Sequence, residues 1–269
     1  MRTEGKVGKK TGEETVQRIE VNLSQEQKQE IKKKQSFKKE RVKGVVTERD
    51  LLALRWISEQ GAMTVDQLWR AVWWSDQTRG PRYAYERVLF LERAKFLEKV
   101  KTPYSLKSYF KARKRAYNLL STKTEGVRCI PTARTPLNET LHVDGLTEIR
   151  LAAIRSGKVR DWVTDRMLLA DPTFPRERFE ITVPDAIWTT QESGRRIAVE
   201  YERTRKGRSR VKAKVDAYER ELTRPDRMID LVLWVAAPGS YQDLKAVLTN
   251  HPHHQLRTLS QFISEVSLK

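Results

Sequence analysis

The sequence predicts an α/β chain, α+β overall, in two folded parts: a helical part that ends in a two-stranded hairpin, then a part built on a central mixed sheet. Three observations carry this reading. Apolar residues recur at helical spacing in three successive segments between residues 47 and 97, and the pattern then stops. The second half holds short apolar runs of strand character, of which 228–236 is nearly continuous, as in a strand covered on both faces. Between the halves, residues 123–140 contain Gly126, Pro131, Pro136 and little periodicity, and read as a linker.

Each element has a local cause. Thr47 caps the first helix, with Asp50 in its first turn; Leu51, Leu52, Leu54 and Ile57 supply an apolar face and Gly61 ends it. Thr64 caps the second, with Val65, Leu68, Trp69 and Val72 at the same period. A loop at 75–80 leads to Pro81, suited to the first turn of a third helix that buries Val88, Leu89, Leu91, Phe96 and Leu97. Residues 98–101 and 115–121 read as the paired strands, with a basic loop between them. In the second half a helix is expected over 141–156 and strands over 181–189 and 197–202, joined by hairpin chemistry at Gly194. A helix over 208–222, the strand at 228–236, a helix over 241–248 and a strand near 256–259 follow.

Composition narrows the partner. The 269 residues carry a net charge of +18 and a pI near 10, a field that attracts polyanions; nucleic acid is the natural partner and an anionic membrane surface the competitor. Residues 1–46 hold 13 basic and 7 acidic residues, with no Trp or Tyr, and read as a basic arm too polar to bury a core, with a polar helix conceivable over 23–41. A lone cysteine, Cys129, excludes an intrachain disulfide framework and a cysteine zinc cluster, and suits a reducing cytoplasmic setting. No apolar run approaches the roughly 18 residues that a membrane helix needs, so no membrane partner is expected. Trp73 and Trp74 cannot both face one core, so one of them marks an interface, with a homodimer as the simplest case. His251, His253 and His254 read as a surface loop rather than a metal site.

Three helices followed by a hairpin is the winged helix-turn-helix order, here residues 47–122, and it predicts contact with duplex DNA. Arg79, Arg82, Tyr83, Tyr85 and Arg87 lie on or before the third helix, the element that enters the major groove in this arrangement. From Lys99 to Arg115 there are seven basic residues and no acidic one, among them Lys107, Lys111, Arg113, Lys114 and Arg115. Such a run suits phosphate contact driven by counterion release.

The second half, 141–269, carries acids in a pattern. Val183-Pro-Asp185 is followed, across the hairpin, by Ala198-Val-Glu-Tyr-Glu202, and strand alternation puts Glu200 and Glu202 on one face. If the strands pair, Asp185 approaches them, and Glu148 on the preceding helix adds a fourth carboxylate. Clustered carboxylates repel unless a cation is present, and a hard divalent ion such as Mg²⁺ or Mn²⁺ resolves this at Asp185, Glu200 and Glu202. Ion pairing with the nearby arginines is the competing account.

Pro-Asp followed by Glu-x-Glu on the next strand is similar to the PD-(D/E)xK restriction-endonuclease-like superfamily. The whole layout resembles the replication-relaxation family of bacterial plasmids and mobile elements. Residues carrying the likeness are Thr47-Glu-Arg-Asp-Leu51, Gly61-Ala-Met-Thr-Val65 and Arg87-Val-Leu-Phe-Leu91 in the first half. In the second half they are Glu148-Ile-Arg-Leu151, Val183-Pro-Asp185 and Ala198-Val-Glu-Tyr-Glu-Arg-Thr-Arg-Lys206. The resemblance implies a DNA-associated role in replication, mobilisation or control of a mobile element, alongside replication or mobilisation proteins and the nucleoid or plasmid. It implies Asp185 and Glu200 as metal-binding acids and Glu148 as the helical acid. Glu202 stands where the family pattern has lysine, leaving Lys206, Lys212 or Lys214 to act on phosphate. Two functions stay open: divalent-metal-dependent cleavage or nicking of DNA, and non-catalytic binding by a degenerate nuclease fold.

Overall fold

The computed structural model describes residues 44–75, 80–123, 137–179 and 183–267. The expected arm, Arg79 and most of the expected linker lie outside the described residues. By its contacts, 44–269 forms one compact unit.

Helix α1 (Glu48–Gln60) starts on a capping box in which Thr47 and Asp50 satisfy each other's backbone N–H, and ends at Gly61 with φ 90°. A second capping box, Thr64 with Gln67, opens α2 (Val65–Leu68), which continues as a π-turn over Trp69–Trp73. Pro81 stands in the first turn of α3 (Pro81–Arg93). Strands β1 (Leu97–Thr102) and β2 (Ser105–Ala112) pair antiparallel as the wing, and Met63 adds a bridge to Phe110. Three helices followed by an antiparallel hairpin is the predicted order, but the second strand of the hairpin was misplaced. Residues 115–121, expected to be that strand, belong to helix α4 (Lys114–Lys123), which buries Ala116 and Leu120 four residues apart on one face. The basic run expected as a loop is itself β2, because its only tight turn is at Pro103 and Tyr104.

The second half is a five-stranded sheet in the order β3-β4-β5-β6-β7: β3 (Val159–Thr164), β4 (Ala186–Thr190), β5 (Arg196–Glu202), β6 (Leu231–Ala236) and β7 (His254–Thr258). The first three strands are antiparallel neighbours and the last three are parallel, so the sheet is mixed as predicted. The β4–β5 turn does use Gly194 at φ 65°. Helices α7 (Arg208–Leu222) and α8 (Tyr241–Leu248) cover one face through Val211, Val215, Tyr218, Leu244 and Leu248. Helices α5 (Thr140–Arg155) and α9 (Leu259–Ser267) cover the other through Leu146, Ile149, Phe262 and Val266. Strand β3, the short helix α6 (Asp165–Ala170) and α9 were not foreseen. The strand expected over 181–189 begins at Ala186, with 181 and 182 outside the described residues.

Helix α5 joins the halves. Gly145 lets it approach the sheet: a Cβ there would fall 2.2 Å from Cε1 at the ring edge of Tyr201 on β5. On its other side Leu151 enters the winged-helix core. Around Leu151 the contact is ionic: Arg150 meets Glu59 at 2.5 Å and Gln60 at 3.1 Å, and its guanidinium lies 3.9 Å from the Trp56 ring centre.

Two aromatic and histidine expectations resolve differently. Trp73 is fully buried while Trp74 is 53% exposed, capped by Arg155 and edge-on to Trp69, as the one-core argument requires. The histidines are not a surface loop throughout: His254 opens β7, is buried, and accepts from Trp234 Nε1 at 2.9 Å. That bond puts its proton on Nε2, facing Glu219 at 3.3 Å, and burial pulls its pKa down to about 4.

Candidate active site and nucleic-acid interface

Pairing of β4 with β5 sets Ala186 against Val199, so Asp185 and Glu200 flank that pair from opposing strands. Ala198 faces the α7 layer, and alternation turns Glu200 and Glu202 the same way. Helix α7 answers with Lys214 and Tyr218, one turn apart. Lys214 Nζ lies 2.5 Å from Glu200 Oε2 and 3.5 Å from Glu202 Oε1. The Tyr218 hydroxyl donates to Glu200 Oε1. Lys206, from the loop after β5, holds Glu202 at 2.6 Å. Of the three candidate lysines, Lys214 and Lys206 therefore reach the acids, while Lys212 is exposed on the outer side of α7.

Asp185 is held from two sides: Tyr201 N–H donates to Oδ2 at 2.8 Å, and His142 Nε2 on α5 stands 3.2 Å from Oδ1. Next to it, Asp165 donates its backbone N–H to the Asp185 carbonyl at 3.0 Å. Asp165, Asp185 and His142 line a small cleft of about 70 Å³ with Gln60, Glu139 and Trp162.

The electrostatics follow from burial. Burial, against the pull of Lys214 and with the charge of Asp185 adding to it, lifts Glu200 to about 7. Burial and then Asp185 lift Asp165 to about 6. Burial also presses on Asp185, but the bond and charge of His142, with Lys214 behind them, hold it below the usual carboxylate range. Burial works against the Lys214 ammonium, and Glu200, Asp185 and Glu202 outweigh it, so its pKa is raised. The site thus mixes acids of very different proton affinity around one buried ammonium, a pattern common where acid–base chemistry or charge binding is performed.

Glu148 departs from expectation. It points away from these acids toward α2, where Arg70 binds both its oxygens at 2.7 and 2.6 Å and Gln67 adds a bond at 3.0 Å. The helical partner of Asp185 is His142 instead. Among the described residues no group of three or more His, Cys, Asp or Glu stands as a metal-ligand set. Glu202 is turned onto Lys206 and Lys214. Asp185 and Glu200 have each oxygen engaged within the fold, by Tyr201 N–H and His142 and by Lys214 and the Tyr218 hydroxyl. His142 and Asp165 were missed by sequence reasoning: they lie 43 and 20 positions before Asp185, and only the packing of α5 and the β3–α6 junction brings them in.

The predicted DNA-contacting residues divide. Arg87 is an internal strut, bound to the buried Asp50 and to Val45 O at 3.1 Å. Lys107 turns to Asp144 on α5 at 2.9 Å. Tyr83 packs edge-on against Trp73, Arg115 lies over Phe96 and donates to Ala94 O, and Arg113 is 3.8 Å from Glu98. Lys111 on β2 is half-buried. Tyr85 and Lys114 are exposed, as is Arg82 beside Glu86. Arg93, Lys95, Lys99 and Lys101 are exposed and form no ion pair among the described residues, so the end of α3 and β1 present free positive charge.

Among the described residues no helix is long and apolar enough to cross a membrane. Comparison of the chain with models of known families, with curated proteins and with solved structures finds no match in any of the three.

Proposed function

We propose that the protein binds duplex DNA through its winged-helix half, in the service of a plasmid or mobile element as the replication-relaxation resemblance implies. The observation that carries this is the set Arg93, Lys95, Lys99 and Lys101 at the end of α3 and along the hairpin, exposed and in no ion pair among the described residues. Cations without counter-charge on a groove-reading scaffold suit phosphate contact, and each phosphate neutralised releases counterions. The test is fluorescence anisotropy of a labelled duplex over a salt series. Lys99→Glu with Lys101→Glu should weaken binding and flatten the dependence of log affinity on log salt by roughly 2. An unchanged affinity and slope would remove the wing from the interface.

A second reading adds phosphodiester cleavage, and the placement of Lys214 favours it. The family pattern lacks its strand lysine here, and α7 returns one to Glu200 from the helix. Asp185 and Glu200 would hold a divalent cation, which supplies charge neutralisation on the phosphate. Lys214 would stabilise the developing negative charge, with His142 fixing the Asp185 carboxylate. Supercoiled plasmid incubated with Mg²⁺ or Mn²⁺ should be nicked by the wild type and not by Lys214→Met or Asp185→Asn. Absence of nicking by the wild type leaves the DNA-binding reading alone.

A further inference from the structure

The loop after β5 and the first two turns of α7 hold seven cations between Arg203 and Lys214 and no acid. Three are neutralised internally: Arg205 by Asp243 at 2.6 Å, Lys206 by Glu202 and Lys214 by Glu200. Arg208, Arg210 and Lys212 are exposed and form no ion pair among the described residues. Their placement is locally unfavourable. Arg208 and Lys212, and Arg210 and Lys214, are like charges four residues apart on one helix. Arg208 and Arg210 lie in the first turn, where the macrodipole disfavours cations, and that turn has no acid to compensate.

Geometry ties the patch to the site. Arg210 stands one turn before Lys214 on the same side of α7. The loop leaves the carboxyl end of β5, which runs parallel to β6, and ligands of such sheets gather outside that end. Between the cations lie Thr204, Gly207 and Ser209, all exposed, whereas Val211 is buried. Insertion into an anionic membrane surface is favoured by exposed apolar side chains, and residues 203–214 expose none.

We propose that Arg208, Arg210 and Lys212, with Arg203, form a second DNA-backbone contact, a phosphate track that leads a strand to Asp185, Glu200 and Lys214. This rests on the DNA-binding reading above. The full chain is titrated onto a labelled duplex over a salt series, with R208E/R210E/K212E and its glutamine counterpart R208Q/R210Q/K212Q beside the wild type. The glutamine triple should flatten the salt dependence by roughly 2 to 3, and the glutamate triple should weaken binding further. Both should keep the wild-type melting temperature or exceed it, since like-charge crowding is relieved.

Duplex bound by the wild type with affinity and salt slope unchanged in both triples overturns the track and leaves the wing contact standing. A wild type that does not bind duplex overturns the DNA reading itself. Phosphatidylserine vesicles bound through these residues, with duplex binding indifferent to them, would overturn the track in favour of a membrane surface.

Discussion

Replacing Glu59 by Gln removes one charge from a buried pair and leaves the other behind. Glu59 and Arg150 have side chains 4% and 7% exposed and meet at 2.5 Å across the contact between α1 and α5. Arg150 draws on Gln60 at 3.1 Å and on the Trp56 ring, and neither carries a negative charge. Burial already pulls the Arg150 pKa below its usual range, with Glu59 the principal opposing influence. Breaking such a pair from one side costs about 3–5 kcal/mol. For a unit of this size that is a fall in melting temperature of roughly 6–20 °C. Arg150→Met should cost less, because Glu59 keeps Arg55 at 2.8 Å, and that partner is half in solvent. Glu59→Met with Arg150→Met replaces both charges by apolar groups and should recover most of the loss. Urea denaturation read by tryptophan fluorescence and by far-ultraviolet circular dichroism measures all four proteins and ranks their stabilities. A Glu59→Gln protein within about 1 kcal/mol of wild type, or a double variant no more stable than Glu59→Gln, would refute the reasoning.

Glu200 should impose a pH dependence. Its ordinary pKa of 4.5 rises to about 7 in the fold, so the folded state holds a proton that the unfolded chain releases between those values. Stability from this group therefore falls as pH rises through that window, by up to ~3 kcal/mol, and the urea midpoint of Glu200→Gln should lose that slope. Gly145→Ala drives a methyl into the Tyr201 ring and should cost about 1–3 kcal/mol, with Tyr201→Leu restoring part of it in the double variant; unequal melting temperatures of wild type and Gly145→Ala read it directly. Glu148→Ala leaves Arg70 half-buried with Asp66 as its remaining carboxylate. It should lower the melting temperature while plasmid nicking, where present, continues at the wild-type rate.

Helices with one apolar stripe were legible: α7 and α8 fall at the residues that their periodicity marks, because Val211, Val215, Tyr218 and Leu222 report a single buried face. Strand β6 was legible for the opposite reason, being apolar on both faces. The wing was read one element too late. Its true second strand, Ser-Leu-Lys-Ser-Tyr-Phe-Lys-Ala, buries only Tyr109 and Phe110, so local alternation is faint. The segment taken instead carries Tyr117 and Leu119 two apart, and the helical signal from Ala116 to Leu120 was the weaker-looking one. Edge strand β3 has the same weakness, with Trp162 and Thr164 its only fully covered side chains. At the site, Asp185, Glu200 and Glu202 were visible because strand alternation is local. The choice of Lys214 over Lys212 depended on which side of α7 meets the sheet. His142 could not be read at all, since nothing near it in sequence marks the approach of α5 to Asp185. Arg87 and Lys107 looked like free cations for the converse reason: Asp50 and Asp144, which neutralise them, are 37 residues away in each case.

Helix α5 belongs to two cores at once, giving Leu151 to one and Leu146 and Ile149 to the other. A string between modules would let each half tumble and explore its own orientations. A common helix opposes that, because turning one half against the other would pull α5 out of one of its two cores. The same sharing removes any clean place to divide the chain. A fragment ending before α5 would forfeit Leu151 from its interior and strand Glu59 without its arginine, and a fragment beginning at α5 would carry an orphaned guanidinium into water. The two halves would have to be engineered as a single part.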